Sequence, residues 1–176
     1  MSEVGDYCPK DKSDWREWLT INHAKKEGVW LIFNKKNSSH YNLSWSESVD
    51  VALCFGWIDS TKRPIDDKRY KQYFTKRKAK SNWSKINKDK VKNLIEQNLM
   101  EEAGLHSIEI AKENGSWSFL DEVEALVIPK DLEDAFAEQQ GTIDFYNSLS
   151  KSVKKGILYW VISAKRPETR HKRIME

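Results

Sequence analysis

From residue 14 to residue 26 the apolar positions recur every three to four residues. Trp15, Trp18 and Leu19, followed by Asn22 and His23, share one side of a helical period, and Gly28 stops the run, which predicts an amphipathic helix. The rhythm then changes. Val29-Trp-Leu-Ile-Phe33 is a short apolar run between Gly28 and a polar Lys-Lys-Asn-Ser-Ser loop, and it predicts a core strand. Ser44-Trp-Ser-Glu47 has the spacing of a capping box, so a second helix is expected over 45–55, ended by Gly56, with Trp57-Ile58 starting another strand. Residues 69–76 alternate in part, Tyr70 and Phe74 leaning one way and Tyr73 the other, and read as a strand. Asn87 is placed to cap a helix over 88–98 that buries Val91, Leu94 and Ile95. Leu105, Ile108 and Ala111 share one face of a helix over 103–112, closed by Gly115.

Beyond Ser118 the pattern is helical. Pro129 opens one helix, with Leu132, Ala135 and Phe136 on its face. Thr142 or Asp144 opens a short one, and Ser152 caps a longer one that buries Val153, Ile157, Trp160, Val161 and Ala164. A break near 117–129 divides an α+β body, residues 1–117, from a helical C-terminal module, residues 118–176, expected to pack on it. The fold class is therefore α+β: a small mixed sheet flanked by helices, followed by a C-terminal three-helix unit.

Composition narrows the classes. Eight Trp, six Tyr and six Phe in 176 residues exclude a disordered chain, and most of the Trp must help to fill a core. Cys54 sits in an apolar run, so a buried, reduced thiol is expected rather than a disulfide framework or a catalytic thiolate. No Gly-rich phosphate loop is present. None of His23, His40, His106 and His171 lies at ligand spacing from another His or Cys, so no metal or cofactor is expected. The carboxylate pairs Asp66-Asp67, Glu101-Glu102 and Asp121-Glu122 are neighbours whose side chains diverge on a helix, which reads as surface charge. The first fifteen residues have no basic-then-apolar export pattern and no apolar run is long enough to span a bilayer, so the expectation is a cytoplasmic protein.

Charge changes the picture more. The net charge of +3 hides blocks: residues 60–92 hold 13 basic groups against 3 acidic, and residues 93–144 hold 2 against 13. Two clusters carry candidate chemistry. In the first, Trp57, Asp59, Lys62 and Arg63 follow Gly56 at the end of a core strand. They are binding residues, or else Asp59 and Ser60 merely shape a turn. In the second, Lys76, Arg77, Lys78, Lys80 and Lys85 bracket Ser81-Asn-Trp83-Ser84. Trp83 offers a flat face, Ser81 and Ser84 offer hydroxyls, and Asn87 caps a helix whose N-terminus attracts anions. Arg77 is the natural bidentate clamp for a phosphate or carboxylate. The competing reading is a solvated basic surface anchored by Trp83.

The same residues carry a resemblance. Trp15-x-x-Trp-Leu19, Asn22-His23, Ala52-Leu-Cys-Phe-Gly-Trp-Ile-Asp59, Ser81-x-Trp-Ser-Lys85 and Gly115-x-Trp117, with Pro129-x-Asp-Leu132 and Ala164-Lys-Arg-x-Glu-Thr-Arg170 downstream, resemble the bacterial YdeI/OmpD-associated family, labelled a bacteriocin-protection family. The resemblance spans about residues 14–174 and brings no catalytic residues with it. Where relatives carry Pro-Arg after the strand end, this chain has Lys76-Arg77. Three function classes stay open. One is a non-enzymatic binding module for an anionic or phosphate-bearing partner, nucleic acid or nucleotide included. The second is a small enzyme with its site around Asp59, Arg77, Ser81 and Ser84. The third, implied by the family label, is a stress or bacteriocin-protection protein that engages cationic peptides through the acidic segment 93–144. The tail Ala164-Lys-Arg-Pro-Glu-Thr-Arg-His-Lys-Arg173 reads as a basic helix stripe through Arg166, Arg170 and Arg173, or as cations paired with the acidic segment. No protein partner is legible.

Overall fold

The computed structural model describes residues 4–36 and 40–176, and the polar loop expected after the first long strand lies partly outside them, at 37–39. The chain divides into two compact units, residues 1–117 and 118–176. The first holds the sheet. Its strands are β1 (Asp6–Tyr7), β2 (Gly28–Asn34), β3 (Trp57–Pro64) and β4 (Arg69–Lys76). They lie in the order β1-β2-β4-β3, with β1 parallel to β2 and the other pairings antiparallel, so the sheet is mixed. Side chains alternate across a strand, and the apolar alternation of β2 picks the inner face. Val29, Leu31 and Phe33 are buried opposite Phe74, Gln72 and Tyr70 of β4.

Helices α1 (Lys12–Asn22) and α2 (Trp45–Cys54) pack on the sheet, and α3 (Lys85–Glu96) and α4 (Glu102–Glu113) pack on α2. Trp15 of α1 meets Phe74 edge-on at 5.5 Å and stacks on Trp18 at 5.3 Å, and its Nε1 donates to the Ser48 carbonyl at 3.1 Å. Trp15, Trp57 and Trp83 are all essentially inaccessible, so these indoles are core. The Ser44/Glu47 capping box forms in both directions. Cys54 is buried and reduced, its thiol donating to the Asp50 carbonyl at 3.3 Å, and burial pushes its pKa up.

Three local expectations are corrected. α1 starts two residues before Asp14, capped by Asp11, and ends at Asn22; Lys25 and Lys26 turn back onto the Asn22 carbonyl. Strand β3 does not stop at Ile58 but runs through Asp59, Lys62 and Arg63 to Pro64. Its polar residues hid the strand because a β-bulge between Asp59 and Lys62 breaks the alternation. Gln72 closes that bulge, donating to Asp59 Oδ2 at 2.8 Å and the Ser60 carbonyl at 3.0 Å. Finally, α3 is capped by Ser84 and not by Asn87, which contributes only the N–H that Ser84 Oγ accepts at 3.3 Å.

The second unit contains α5 (Asp121–Glu124), α6 (Lys130–Glu138), α7 (Thr142–Ser148), α8 (Lys151–Ile162) and α9 (Pro167–Met175). The three helices expected from the pattern are α6, α7 and α8; a single turn precedes them and the basic tail forms α9. Ser150, two residues before Ser152, caps α8. The core is small: Val123, Leu132 and Leu158, with Leu126, Ile128, Phe136, Ile162 and Ile174 against it. The tail cations work internally. Arg170 grips Asp131 through two donors, its Nη2 at 2.9 Å from Oδ1. Arg173 lies 5.2 Å over the Trp160 ring and donates to the Trp160 carbonyl and to Ser163 Oγ. Arg166 precedes α9, so the three arginines do not form a continuous stripe. Among the described residues no helix is long and apolar enough to cross a membrane.

Candidate functional site

Arg77 leaves the end of β4 with its backbone held, its N–H donating to the Gly56 carbonyl at 2.8 Å. The chain from Lys78 to Ser84 is pinned against the end of α4. Asn114 Nδ2 and Ser116 Oγ both donate to the Ala79 carbonyl, at 2.8 and 3.2 Å, and the Trp83 N–H donates to the Ser116 carbonyl at 3.2 Å. Ser81 closes a turn onto Lys78. The basic segment is thus a tied loop and not a free arm.

Trp83 is 1% exposed. Its outward face is covered by the Arg77 guanidinium, 3.8 Å from the ring centroid, and its flank meets Trp117 at 5.0 Å. The indole is therefore no direct ligand wall; it is the plate on which Arg77 lies. Arg77 Nη2 donates to the Asn82 carbonyl at 2.6 Å, while its Nε and Nη1 are buried without a hydrogen-bond partner. Burial pushes the Arg77 pKa down to about 10, with the Asp59 charge opposing the shift. Asp59 makes no ion pair with it. Its Oδ2 accepts instead from Trp45 Nε1 and Gln72 Nε2, both at 2.8 Å.

Arg77 lines a cavity of about 330 Å³, the size of a small-ligand site. Phe55, Gly56 and Trp57 form one wall, from the turn between α2 and β3. Gly56 has φ +69°, and a Cβ there would come 2.8 Å from the Ala103 carbonyl, so this wall requires glycine. Ala103, His106 and Ser107 of α4 form another, and Lys76, Lys78 and His23 complete it. His23 Nδ1 lies 2.9 Å from the Leu19 carbonyl, which fixes the N–H on that nitrogen and leaves Nε2 as an acceptor. Lys76 Nζ is tied to Glu27 at 2.7 Å and to the Ala24 carbonyl at 3.1 Å. A shallower hollow continues past His23 and His106 to Glu101 and Glu102, so one side of the mouth is acidic.

The residues singled out from the sequence scatter accordingly. Trp57, Lys76 and Arg77 meet at the cavity, and Trp83 supports Arg77 from below. Ser84 Oγ is committed to the α3 cap, where it accepts from the Asn87 backbone N–H. Lys85 is exposed beside Asp89, 3.7 Å away. Lys62 and Arg63 lie about 17 and 20 Å along β3 from Trp57 at ~3.3 Å per residue, where Lys62 stands 4.2 Å over Tyr70 and Arg63 4.8 Å over Trp30. Of Asp59, Arg77, Ser81 and Ser84, only Arg77 lines the cavity. Sequence reasoning missed His23, His106 and Ser107 as wall residues, since nothing in their spacing links them.

Fold and cavity together define an α+β domain with a cationic, aromatic-walled pocket, followed by a separate helical unit. The chain belongs to the family described as a domain of unknown function, DUF8412, whose family model matches residues 7–107, more than half of its length. Residues 125–176 match the model of the family described as Bacteriocin-protection, YdeI or OmpD-Associated. The upstream motifs that carry the resemblance, such as Ala52–Asp59 and Ser81–Lys85, fall within the first match. No curated protein and no solved structure matches this chain.

Proposed function

We propose that the first unit is a binding module for a small phosphate-bearing ligand, or for a phosphate presented by a nucleic acid, with Arg77 as the clamp. The observation that carries this reading is the pair of buried, unpartnered N–H groups on Arg77. A guanidinium without a carboxylate partner is costly to bury, and two unmet donors on a residue that lines a cavity call for an oxyanion, with Nε and Nη1 donating to separate oxygens because they lie on different edges of the guanidinium. Trp83 fixes the plane of the fork, and Lys76 and Lys78 add attraction at the rim.

The test is fluorescence anisotropy of the whole chain with a labelled single-stranded oligonucleotide, competed by pyrophosphate. Charge-assisted bonds of ~1.5–3 kcal/mol make Arg77→Met weaken binding by roughly ten- to a hundredfold. Competition by pyrophosphate alone assigns the site to a small phosphate; oligonucleotide binding with a log–log salt slope near −0.7 for each phosphate contacted assigns it to nucleic acid. Equal affinity of wild type and Arg77→Met for both probes would remove the proposal. The protection role in the description of the C-terminal family is a separate proposal for this chain. Cells carrying wild type, and not Arg77→Met, would survive bacteriocin if that role runs through this pocket.

A further inference from the structure

The second unit has a cavity of its own, of about 390 Å³, walled by α6, α7, α8 and α9. Its lining is dominated by Phe136, Leu149, Ile157 and Trp160, a surface that favours an apolar occupant. Five polar side chains, Gln139, Thr142, Tyr146, Arg173 and Glu176, break the apolar lining, and two of them carry the argument. Tyr146 is 4% exposed, and its hydroxyl is buried with no hydrogen-bond partner. Such a group costs stability unless something completes it. Burial pushes the Tyr146 pKa up, so the phenol keeps its proton and offers an O–H donor. Arg173, on the same lining, uses Nη1 on the Trp160 carbonyl and Ser163 Oγ, and among the described residues no carboxylate pairs with it. Glu176 also reaches the lining, 3.7 Å from Lys172.

We propose that this cavity binds a small apolar carboxylate, its body between Phe136, Leu149, Ile157 and Trp160 and its carboxylate on the Tyr146 hydroxyl and the Arg173 guanidinium. An apolar face of a partner helix would fill the walls but leave the hydroxyl unmet. A small molecule with an acceptor head meets both requirements. The site is independent of Arg77, which belongs to the other unit.

The experiment is a calorimetric and ¹⁵N-NMR titration of the full chain with decanoate and, as the uncharged control, decanol. Decanoate binds saturably, with shifts confined to α6–α9, and decanol binds at least tenfold more weakly. Tyr146→Phe keeps the ring, leaves the thermal midpoint unchanged or raises it, and weakens decanoate about five- to tenfold. Ala135→Phe fills the cavity and abolishes binding. The proposal is overturned by decanol binding as tightly as decanoate, by Tyr146→Phe binding as wild type, or by Tyr146→Phe melting well below it. Shifts centred on Arg77, an absence of saturable binding, or a ligand-free dimer that buries these side chains would also overturn it.

Discussion

Arg77 is held in place by its neighbours at a cost to the fold. Its pKa is lower in the folded chain than its ordinary value, and its charged form is the protonated one. The charge therefore weakens the fold at neutral pH, and the penalty fades as pH rises above about 10 toward the ordinary guanidinium range. A guanidinium held that far below its ordinary value carries a penalty on the order of 3 kcal/mol, before the Trp83 stack and the Asn82 bond offset part of it. Arg77→Met should thus melt at the same temperature as wild type or higher by calorimetry, while losing the phosphate-induced rise in midpoint. A midpoint several degrees lower would mark Arg77 as a structural residue. Phosphate affinity of the wild type should hold from pH 7 to 9 and fall as pH passes about 10, where the guanidinium loses its proton. An affinity unchanged across that range would mean that Arg77 is not the clamp. Trp83→Ala removes a buried indole and should cost ~3–5 kcal/mol, measured by urea unfolding.

The elements that shape the pocket are held by short-range devices, and these separate scaffold from site. Ser84→Ala deletes the α3 cap and should cost about 1 kcal/mol of stability while leaving phosphate affinity within a factor of two. A large loss of affinity would return Ser84 to the binding set. Gly104 brings α4 against α2 so closely that a Cβ would sit 2.2 Å from the Cys54 carbonyl oxygen. Backbone cannot yield as a flexible side chain can, so Gly104→Ala should lower stability by ~1–3 kcal/mol. It should weaken phosphate binding as well, because Ala103, His106 and Ser107 move with α4. The α2 cap adds a pH dependence: hydrogen bonds from the Ser44 hydroxyl and N–H hold the Glu47 carboxyl below its usual range. Its stabilisation is present above the unfolded carboxyl pKa and is lost as pH falls through the folded one. Ser44→Ala should flatten that part of an acid-unfolding curve.

Across the whole molecule each unit has a buried cluster of its own. One runs from Trp15 to Ala111 and the other from Val123 to Leu158. A fragment of residues 1–117 should therefore melt cooperatively on its own and keep the anion site, as judged by near-ultraviolet dichroism and pyrophosphate titration. The basic block 60–92 does not act as one patch. Lys62 and Arg63 cover rings at the far end of β3, Lys76 pairs with Glu27, Lys90 pairs with Asp50, and Arg77 lies on Trp83. Thirteen like charges in one stretch of sequence are dispersed over several faces once a hairpin and a helix fold them.

Features governed by near neighbours could be read from the chain alone. The Ser44/Glu47 box, the stop at Gly56, the apolar alternation of β2 and the existence of α6, α7 and α8 all depend on residues a few positions apart, where period and capping chemistry act directly. Arg77 stood out in the sequence as the one guanidinium in the run from Lys76 to Lys90, but its place on the Trp83 ring did not. The β3 residues Asp59 to Arg63 were misjudged because their strand is held by partners on β4 and by a bulge, neither of which leaves a local period. The pocket was decided only in three dimensions. His23 and His106 are 83 residues apart in sequence, and they line one cavity because Gly56 takes a left-handed turn and Gly104 lets α4 close on α2. Tyr146 reads as an ordinary core residue until the packing of four helices leaves its hydroxyl unmet, since local sequence sets which side chains turn inward and only long-range packing sets which polar atoms find a partner there.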